Sequence, residues 1–361
     1  MRLRTPADTG LSLITGGAGF IATNVADRLL QQGRRVRLFD NLSRPGVEEN
    51  LHWIRGQYGD RVEFVRGDIR DEAAVRRAVR GVDQVFHFAA QVAVTTSLTQ
   101  PFLDFDVNAR GTLNLLEAVR AMEHPPSLLF TSTNKVYGDL YDVGLVRRRT
   151  RYEPADAQVR EHGISEARSL DFHSPYGCSK GAAEQYVLDY ARTFGLPATV
   201  FRMSCIYGPH QFGTEDQGWV AHFLIQATRR RPLTLYGDGL QVRDILFVED
   251  LVSAMLLAHE HIDDTAAVAF NIGGGPQHTI SLLELLDCLA ELTGERPHFT
   301  VEPWRPADQR YYVSNTARFA SLTGWRPQVS PREGIERLLA WLVESEIAEV
   351  PSATTATRVA S

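Results

Sequence analysis

Between the apolar run Leu11–Thr15 and an amphipathic stretch that starts at Phe20 lies Gly16-Gly17-Ala18-Gly19-Phe20-Ile21-Ala22, with glycines spaced G-x-x-G and alanine at the third place. Glycines there let the backbone turn sharply and pass close to a pyrophosphate, and the following helix offers unpaired N–H groups and the positive end of its dipole. The same alternation continues through the first two thirds of the chain. Short β-branched or apolar runs (Arg35–Asp40, Val62–Arg66, Gln84–Phe88, Leu128–Ser132, Ala198–Arg202) alternate with helical patterns (Phe20–Gln32, Glu72–Arg80, Val107–Met122, Tyr176–Phe194). Strand, helix, strand in repetition predicts an α/β protein with a doubly wound parallel sheet.

After Cys205 the pattern becomes Gly/Pro-punctuated around helices at Gly218–Arg230 and Ser281–Thr293. This predicts a smaller, interleaved α/β lobe over the carboxyl ends of the sheet, where such folds bind ligands. The expected division is 1–205 for the sheet domain with 242–271 returning to it, 206–241 and 272–345 for the lobe, and a disordered tail at 346–361.

Several classes fall away. No run approaches the ~18 apolar residues of a membrane span, and Leu11–Ile14, after a polar Met1–Gly10, is too short for the apolar core of a signal peptide, so a cytosolic location is expected. Cys178, Cys205 and Cys288 are odd in number and lack CxxC spacing, which predicts free thiols and no metal site. Net charge is −6 and the only basic runs are Arg147–Arg149 and Arg229–Arg231, the wrong balance for binding nucleic acid.

Of 38 basic residues only Lys135 and Lys180 are lysine. Where a generic surface cation suffices this chain uses arginine, so each lysine marks a place that needs a compact ammonium. Lys180 lies in Ser174-Pro175-Tyr176-Gly177-Cys178-Ser179-Lys180, where Ser174 can cap a helix and Pro175 suits its first turn. Four residues separate Tyr176 from Lys180, which puts phenol and ammonium on one helix face. A phenol with pKa ~10 is a poor base at neutral pH, and a neighbouring ammonium favours its ionised form. Lys135 follows the fifth strand in Thr131-Ser132-Thr133-Asn134-Lys135, where the Thr133 hydroxyl could share a substrate proton with Tyr176. At the other end of the sheet, Asp40 closes the second strand 24 residues after Gly16. A carboxylate at that interval grips the adenosine ribose and repels a 2′-phosphate, which selects NAD. Gly67-Asp68-Ile69 and His87-Phe88-Ala89-Ala90-Gln91 are further loops at carboxyl strand ends.

On these residues the sequence resembles the extended short-chain dehydrogenase/reductase family of Rossmann-type nucleotide-sugar epimerases and dehydratases, from about Leu11 to about Trp341. The segment Asp106–Arg120 with Asn108, Gly237-Asp238-Gly239 with Arg243-Asp244, and Arg305-Pro306-Ala307-Asp308 belong to the match. The resemblance implies a catalytic set of Thr133, Tyr176 and Lys180. It implies cofactor contacts at Gly16, Gly19, Phe20, Ile21, Asp40, Asn41, Asp68, Ile69, Ala89, Ala90, Gln91 and Asn108, with Tyr176 and Lys180 serving both roles. Arg243 and Arg305 would hold a substrate diphosphate, as two forked guanidiniums suit, and Asn134, Lys135, Gln211 and Asp308 would line the sugar pocket, with Lys135 on a sugar hydroxyl. His87, His173 and His210 are read as structural.

Within the family, dehydratases place Asp-Glu directly after that threonine, whereas this chain has Asn134-Lys135. Elimination lacks its acid and base, and the expected reaction is epimerisation through a keto-sugar. Longer segments such as QFGTEDQGWVAHF and PADQRYYV point to the branch that inverts C2 of a CDP-dideoxyhexose. A UDP- or GDP-sugar 4-epimerase, a net dehydrogenase or reductase, and a silent NAD-binding scaffold are the alternatives. A homodimer or homotetramer through Val107–Met122 and Tyr176–Phe194 is expected from the same likeness.

Overall fold

The computed structural model describes residues 10–347. All but the first two residues of the expected disordered tail lie outside the described residues. In chain order the strands are β1 (Leu11–Thr15), β2 (Arg35–Asp40), β3 (Val62–Arg66), β4 (Gln84–His87), β5 (Ser127–Thr133), β6 (Leu145–Arg147), β7 (Tyr152–Pro154), β8 (Ala198–Met203), β9 (Cys205–Tyr207), β10 (Leu233–Tyr236), β11 (Val242–Phe247), β12 (Ala269–Ile272), β13 (Thr279–Ser281), β14 (Phe299–Glu302) and β15 (Tyr311–Tyr312). Seven form one parallel sheet in the order β12-β8-β5-β4-β1-β2-β3. The order reverses between β1 and β4, which opens a crevice at their carboxyl ends.

Side-chain alternation explains why both faces are covered. Ile14, Leu38, Phe86, Leu129 and Phe201 point to one face, under helices Phe20–Gln31 and Val248–Glu260. Their strand neighbours Leu13, Phe39, Val85, Leu128 and Val200 point to the other, under helices Glu72–Ala78, Gly111–Arg120 and Ser174–Phe194. With a period of two, consecutive apolar residues such as Leu13-Ile14, Leu38-Phe39 and Val85-Phe86 must be buried on both faces of the sheet. No helix among the described residues is long and apolar enough to cross a membrane.

The smaller lobe packs helices Trp219–Thr228, Leu282–Thr293 and Pro331–Glu344 around a core of its own. Segment 242–271, expected to return whole to the sheet domain, is divided instead. β11 pairs with β9, β13 and β15, while the helix Val248–Glu260 packs on Phe20–Gln31 and β12 joins β8. The reason is the buried Asp244, whose carboxylate accepts the Ser204 hydroxyl and the Gly275 and Ser314 N–H groups and so ties β11 to the lobe. The expected helix 107–122 also differs. Helix Pro101–Phe105 runs on through a π turn, Asp106–Arg110, into Gly111–Arg120.

A buried ionic chain lies under the carboxyl end of β5. Glu184 accepts from Arg202 and from the Ser132 hydroxyl at 2.6 Å, Arg202 donates to the Tyr137 hydroxyl at 2.8 Å, and Tyr137 donates to Asn271 at 2.8 Å. Removing one partner strands the other charge in the interior, so Arg202→Met is expected to cost about 3–5 kcal/mol in denaturant unfolding. His87 and His259, both pushed down to about 3 by burial, are neutral in the fold. The unfolded chain takes up protons at these sites below pH ~6.5 and the folded chain resists until about 3. Stability is therefore fully present above ~6.5 and lost on acidification, approaching about 1.4 kcal/mol per pH unit for each group. A thermal midpoint that falls as pH drops from 7 to 5, and falls less in His259→Gln, would match.

Candidate active site

At the cofactor end, Gly16 adopts φ +64°, and a Cβ there would stand 2.8 Å from the Ala89 nitrogen, while at Gly17 it would stand 2.7 Å from the Leu38 Cβ. Only glycine lets the β1 loop press against the loop after β4 while keeping its own amides open. Gly19 precedes helix Phe20–Gln31 with no side-chain cap, so the helix presents its first N–H groups outward. The Asp40 carboxylate accepts the Ala18 N–H at 3.1 Å and the Leu42 N–H at 2.7 Å, which fixes it beside the glycine turn. Burial raises its pKa, and those two bonds oppose the rise. Next to it Asn41 donates to Asp68 at 3.0 Å. The Arg70 guanidinium grips Asp68 and holds its carboxyl well below the usual range. A cradle that any Cβ would fill, open helix amides and a carboxylate at the ribose distance together fit NAD.

One cavity of about 420 Å³ runs from this helix to the second lobe. It gathers Phe20, Ile21, Ala90, Thr133, Asn134 and Lys135 from the sheet side, Tyr176 and Lys180 from the long helix, and Gln211, Arg243, Arg305 and Asp308 from the lobe. Both lysines of the chain line it. Gly16, Gly19, Asp40, Asn41, Asp68, Ile69, Ala89, Gln91 and Asn108 lie outside its lining, along the carboxyl ends of β1 to β4 and beneath them. The Ile69 side chain is buried against Gly111 in the core.

The chemical end starts with a strained cap. Ser174 has φ +64°, and its hydroxyl accepts the Gly177 N–H at 3.2 Å. That starts the helix so that Tyr176 and Lys180 face the cavity. Burial pushes the Tyr176 phenol up to about 12; the Thr133 hydroxyl beside it lowers it and the Asp104 carboxylate raises it. The help expected from Lys180 is not among these influences. Lys180 is itself drawn down to about 7 by burial, opposed by Asp104 and Glu184, and its ammonium sits 4.2 Å above the Phe130 ring. Burial thus presses the Tyr176 phenol and the Lys180 ammonium alike toward their neutral forms.

Sequence reasoning missed the group behind Lys180. Asp104, fully buried, accepts from the Ser179 hydroxyl, from Asn108 at 3.1 Å and from Gln91 at 3.1 Å. Asn108 also donates to the Gln91 carbonyl at 3.0 Å and accepts the Gln91 N–H at 2.9 Å. The amide is thus spent on holding the loop after β4, and the π turn is what swings it there. The signal available beforehand was one acidic residue at an otherwise apolar helix position, which is weak.

Across the cavity the Thr133 hydroxyl accepts the Lys135 N–H at 3.2 Å. Asn134 donates to Gln309 at 3.2 Å, and Gln309 donates to the Gly138 carbonyl at 2.7 Å, so Gln309 is a second residue that sequence reasoning passed over. The Lys135 ammonium donates to the Ala307 carbonyl at 2.9 Å and stands 3.8 Å from Asp308 Oδ1, the same oxygen that takes Arg243 at 2.7 Å. Arg305 lies 3.7 Å over the Tyr236 ring and donates to the Glu215 carbonyl at 3.1 Å. Gln211 donates to the Ile206 carbonyl at 3.1 Å. His87 bridges Thr15 at 2.7 Å and Thr112 at 2.9 Å. His210 packs between Trp53 and Trp341, and His173 meets Asp139 at 2.7 Å. None of the three histidines lines the cavity.

Residues 12–273 match the NAD dependent epimerase/dehydratase family. The chain is 45% identical over 336 residues to CDP-paratose 2-epimerase of Salmonella typhi, covering 91% of this chain and 98% of that protein. It is 30% identical over 331 residues to a putative UDP-glucose 4-epimerase of Methanocaldococcus jannaschii, covering 91% and 97%. Among solved structures, the UDP-glucose 4-epimerase of Thermus thermophilus in complex with NAD superposes with a TM-score of 0.76 at 34% identity, covering 92% of this chain and 99% of that one. A family match that runs from within β1 to just past β12, with 45% identity through both lobes, makes this chain a member of the NAD dependent epimerase/dehydratase family.

Proposed function

We propose that this enzyme inverts C2 of a CDP-bound dideoxyhexose by transient oxidation to a keto-sugar. The observation that carries epimerisation over elimination is the turn after Thr133. Its two following side chains are the Asn134 amide, held by Gln309, and the Lys135 ammonium, held by the Ala307 carbonyl, so no carboxylic acid follows Thr133 in the turn. Asp308, 3.8 Å from the Lys135 ammonium, is engaged by Arg243 at 2.7 Å through the same oxygen and stands on the second lobe, outside that turn. The CDP-dideoxyhexose and the C2 position are supported by the 45% identity to CDP-paratose 2-epimerase, which covers the lobe as well as the sheet.

Bound NAD supplies acceptance and return of a hydride at the inverted carbon. Tyr176 takes the proton of the sugar hydroxyl, and the Thr133 hydroxyl shares it. Because burial holds the free phenol near 12, ionisation requires added positive charge beside it, of the kind an oxidised nicotinamide and a protonated Lys180 carry. The base is thus silent until the site is loaded. Arg243 and Arg305 hold the diphosphate while the flat keto-sugar turns, so hydride can return to its other face.

The enzyme is further proposed to work in the cytosol as a homodimer. Its three cysteines are unpaired, as a reducing compartment requires. Tyr186 and Phe194, at 47% and 48% exposure, leave apolar surface on the second of the two helices expected to meet a second copy, and Phe102 and Phe105, at 86% and 54%, expose more on helix Pro101–Phe105, which runs on toward the first.

Purified protein mixed with CDP-, UDP- and GDP-sugars and followed by NMR is expected to exchange configuration at C2 of CDP-paratose with no net rise in reduced-nicotinamide absorbance. Stoichiometric NADH would make it a dehydrogenase, and exchange at C4 a 4-epimerase. Tyr176→Phe is expected to lower kcat by about 10²–10⁴-fold while the protein still purifies with its NAD; loss of NAD instead would point to a binding role alone.

A further inference from the structure

We propose that Lys135 grips the substrate's β-phosphate beside the reacting carbon, which makes it the residue that fits this cavity to C2 chemistry; the inference rests on the C2 reading above. Ring geometry creates the need. C2 is bonded to C1, and C1 carries the oxygen of the diphosphate, whereas C4 stands across the ring. A 2-epimerase must therefore bring a phosphate next to the hydroxyl pair of Thr133 and Tyr176, where its negative charge opposes ionisation of the phenol and loss of the sugar proton. A cation between the two offsets that penalty.

Lys135 is built into that position. Its backbone N–H donates to Thr133 Oγ1 at 3.2 Å, so the side chain starts in the same turn as the reacting hydroxyl. Its ammonium reaches the second lobe, where it and the Arg243 guanidinium both lie within 3.8 Å of one Asp308 oxygen. Two basic groups share one carboxylate; burial and Arg243 lower the Lys135 pKa while Asp308 and Asp139 raise it, so a phosphate entering the cavity beside them would add to what holds the proton there. The choice of residue agrees, since a chain that uses arginine almost everywhere keeps lysine here. An ammonium directs three donors from one point, enough for the Ala307 carbonyl, the Asp308 carboxylate and a phosphate oxygen lying in different directions, whereas the five donors of a guanidinium are confined to one plane. A neutral sugar hydroxyl, the partner suggested by sequence, needs no such charge.

The test is calorimetric titration of NAD-loaded wild type, Lys135→Met and Lys135→Gln with CDP, CMP and cytidine. The expected result is a Kd for CDP raised about ten- to hundredfold in both variants, as for loss of a charge-assisted bond, with CMP and cytidine unchanged within about threefold. KM for CDP-paratose should rise by a similar factor. CDP binding equal to wild type in either folded, NAD-loaded variant overturns the proposal. Equal weakening of all three ligands also overturns it, because the phosphate contact is then not what was lost. The C2 reading fails by a different sign, wild-type enzyme that inverts C4 and leaves C2 untouched.

Discussion

Glu184 and Arg202 form an ion pair closed off from water, and the positions of Thr133, Tyr176 and Lys180 depend on it. Glu184 belongs to the helix that carries Tyr176 and Lys180, Arg202 to β8, and through the Ser132 hydroxyl the pair also holds the end of β5, one residue before Thr133. Three elements that would otherwise slide are locked at one point. A buried pair returns little net stability, because desolvation consumes most of the attraction. Its value here is placement: Tyr176 reaches Thr133 only if helix and strand keep this register.

Desolvation then sets the protonation states of the site. It drives the Tyr176 phenol up and the Lys180 ammonium down, so both are pressed toward their neutral forms. Asp104 works against this on the lysine, and it is held by Ser179, Asn108 and Gln91, the last two of which also bond each other through the loop after β4. The polar network behind Lys180 thus holds in place a carboxylate that opposes the loss of the lysine's proton.

Much of this was legible in the chain itself. The short β-branched and apolar runs placed six of the seven parallel strands, the glycine spacing placed the cradle, and the scarcity of lysine picked out two side chains that turn out to share a cavity. What escaped was non-local. The Asp104 network needs a π turn to bring Asn108 round, and an extra residue in one helical turn leaves no mark on a 3.6-residue pattern. The sharing of Asp308 by Lys135 and Arg243 joins positions 135, 243 and 308, which no local window contains. The misplaced start of segment 242–271 has the same origin, since the partners of Asp244 come from residues 204, 275 and 314.

Arg305 is not a bare cation in the free enzyme. It rests on the Tyr236 ring with Glu215 and Asp216 alongside, as Arg243 rests on Asp308. If a diphosphate binds as proposed above, at Arg305 it meets a guanidinium that already has acidic companions, so binding there is an exchange of partners more than a neutralisation. Fewer dissolved counterions are set free than the number of arginines suggests, and affinity accordingly depends only weakly on ionic strength. Glu215 and Asp216, the acids that Arg305 would give up, lie on the loop between Gln211 and Trp219, which gives that loop a reason to move when ligand enters or leaves.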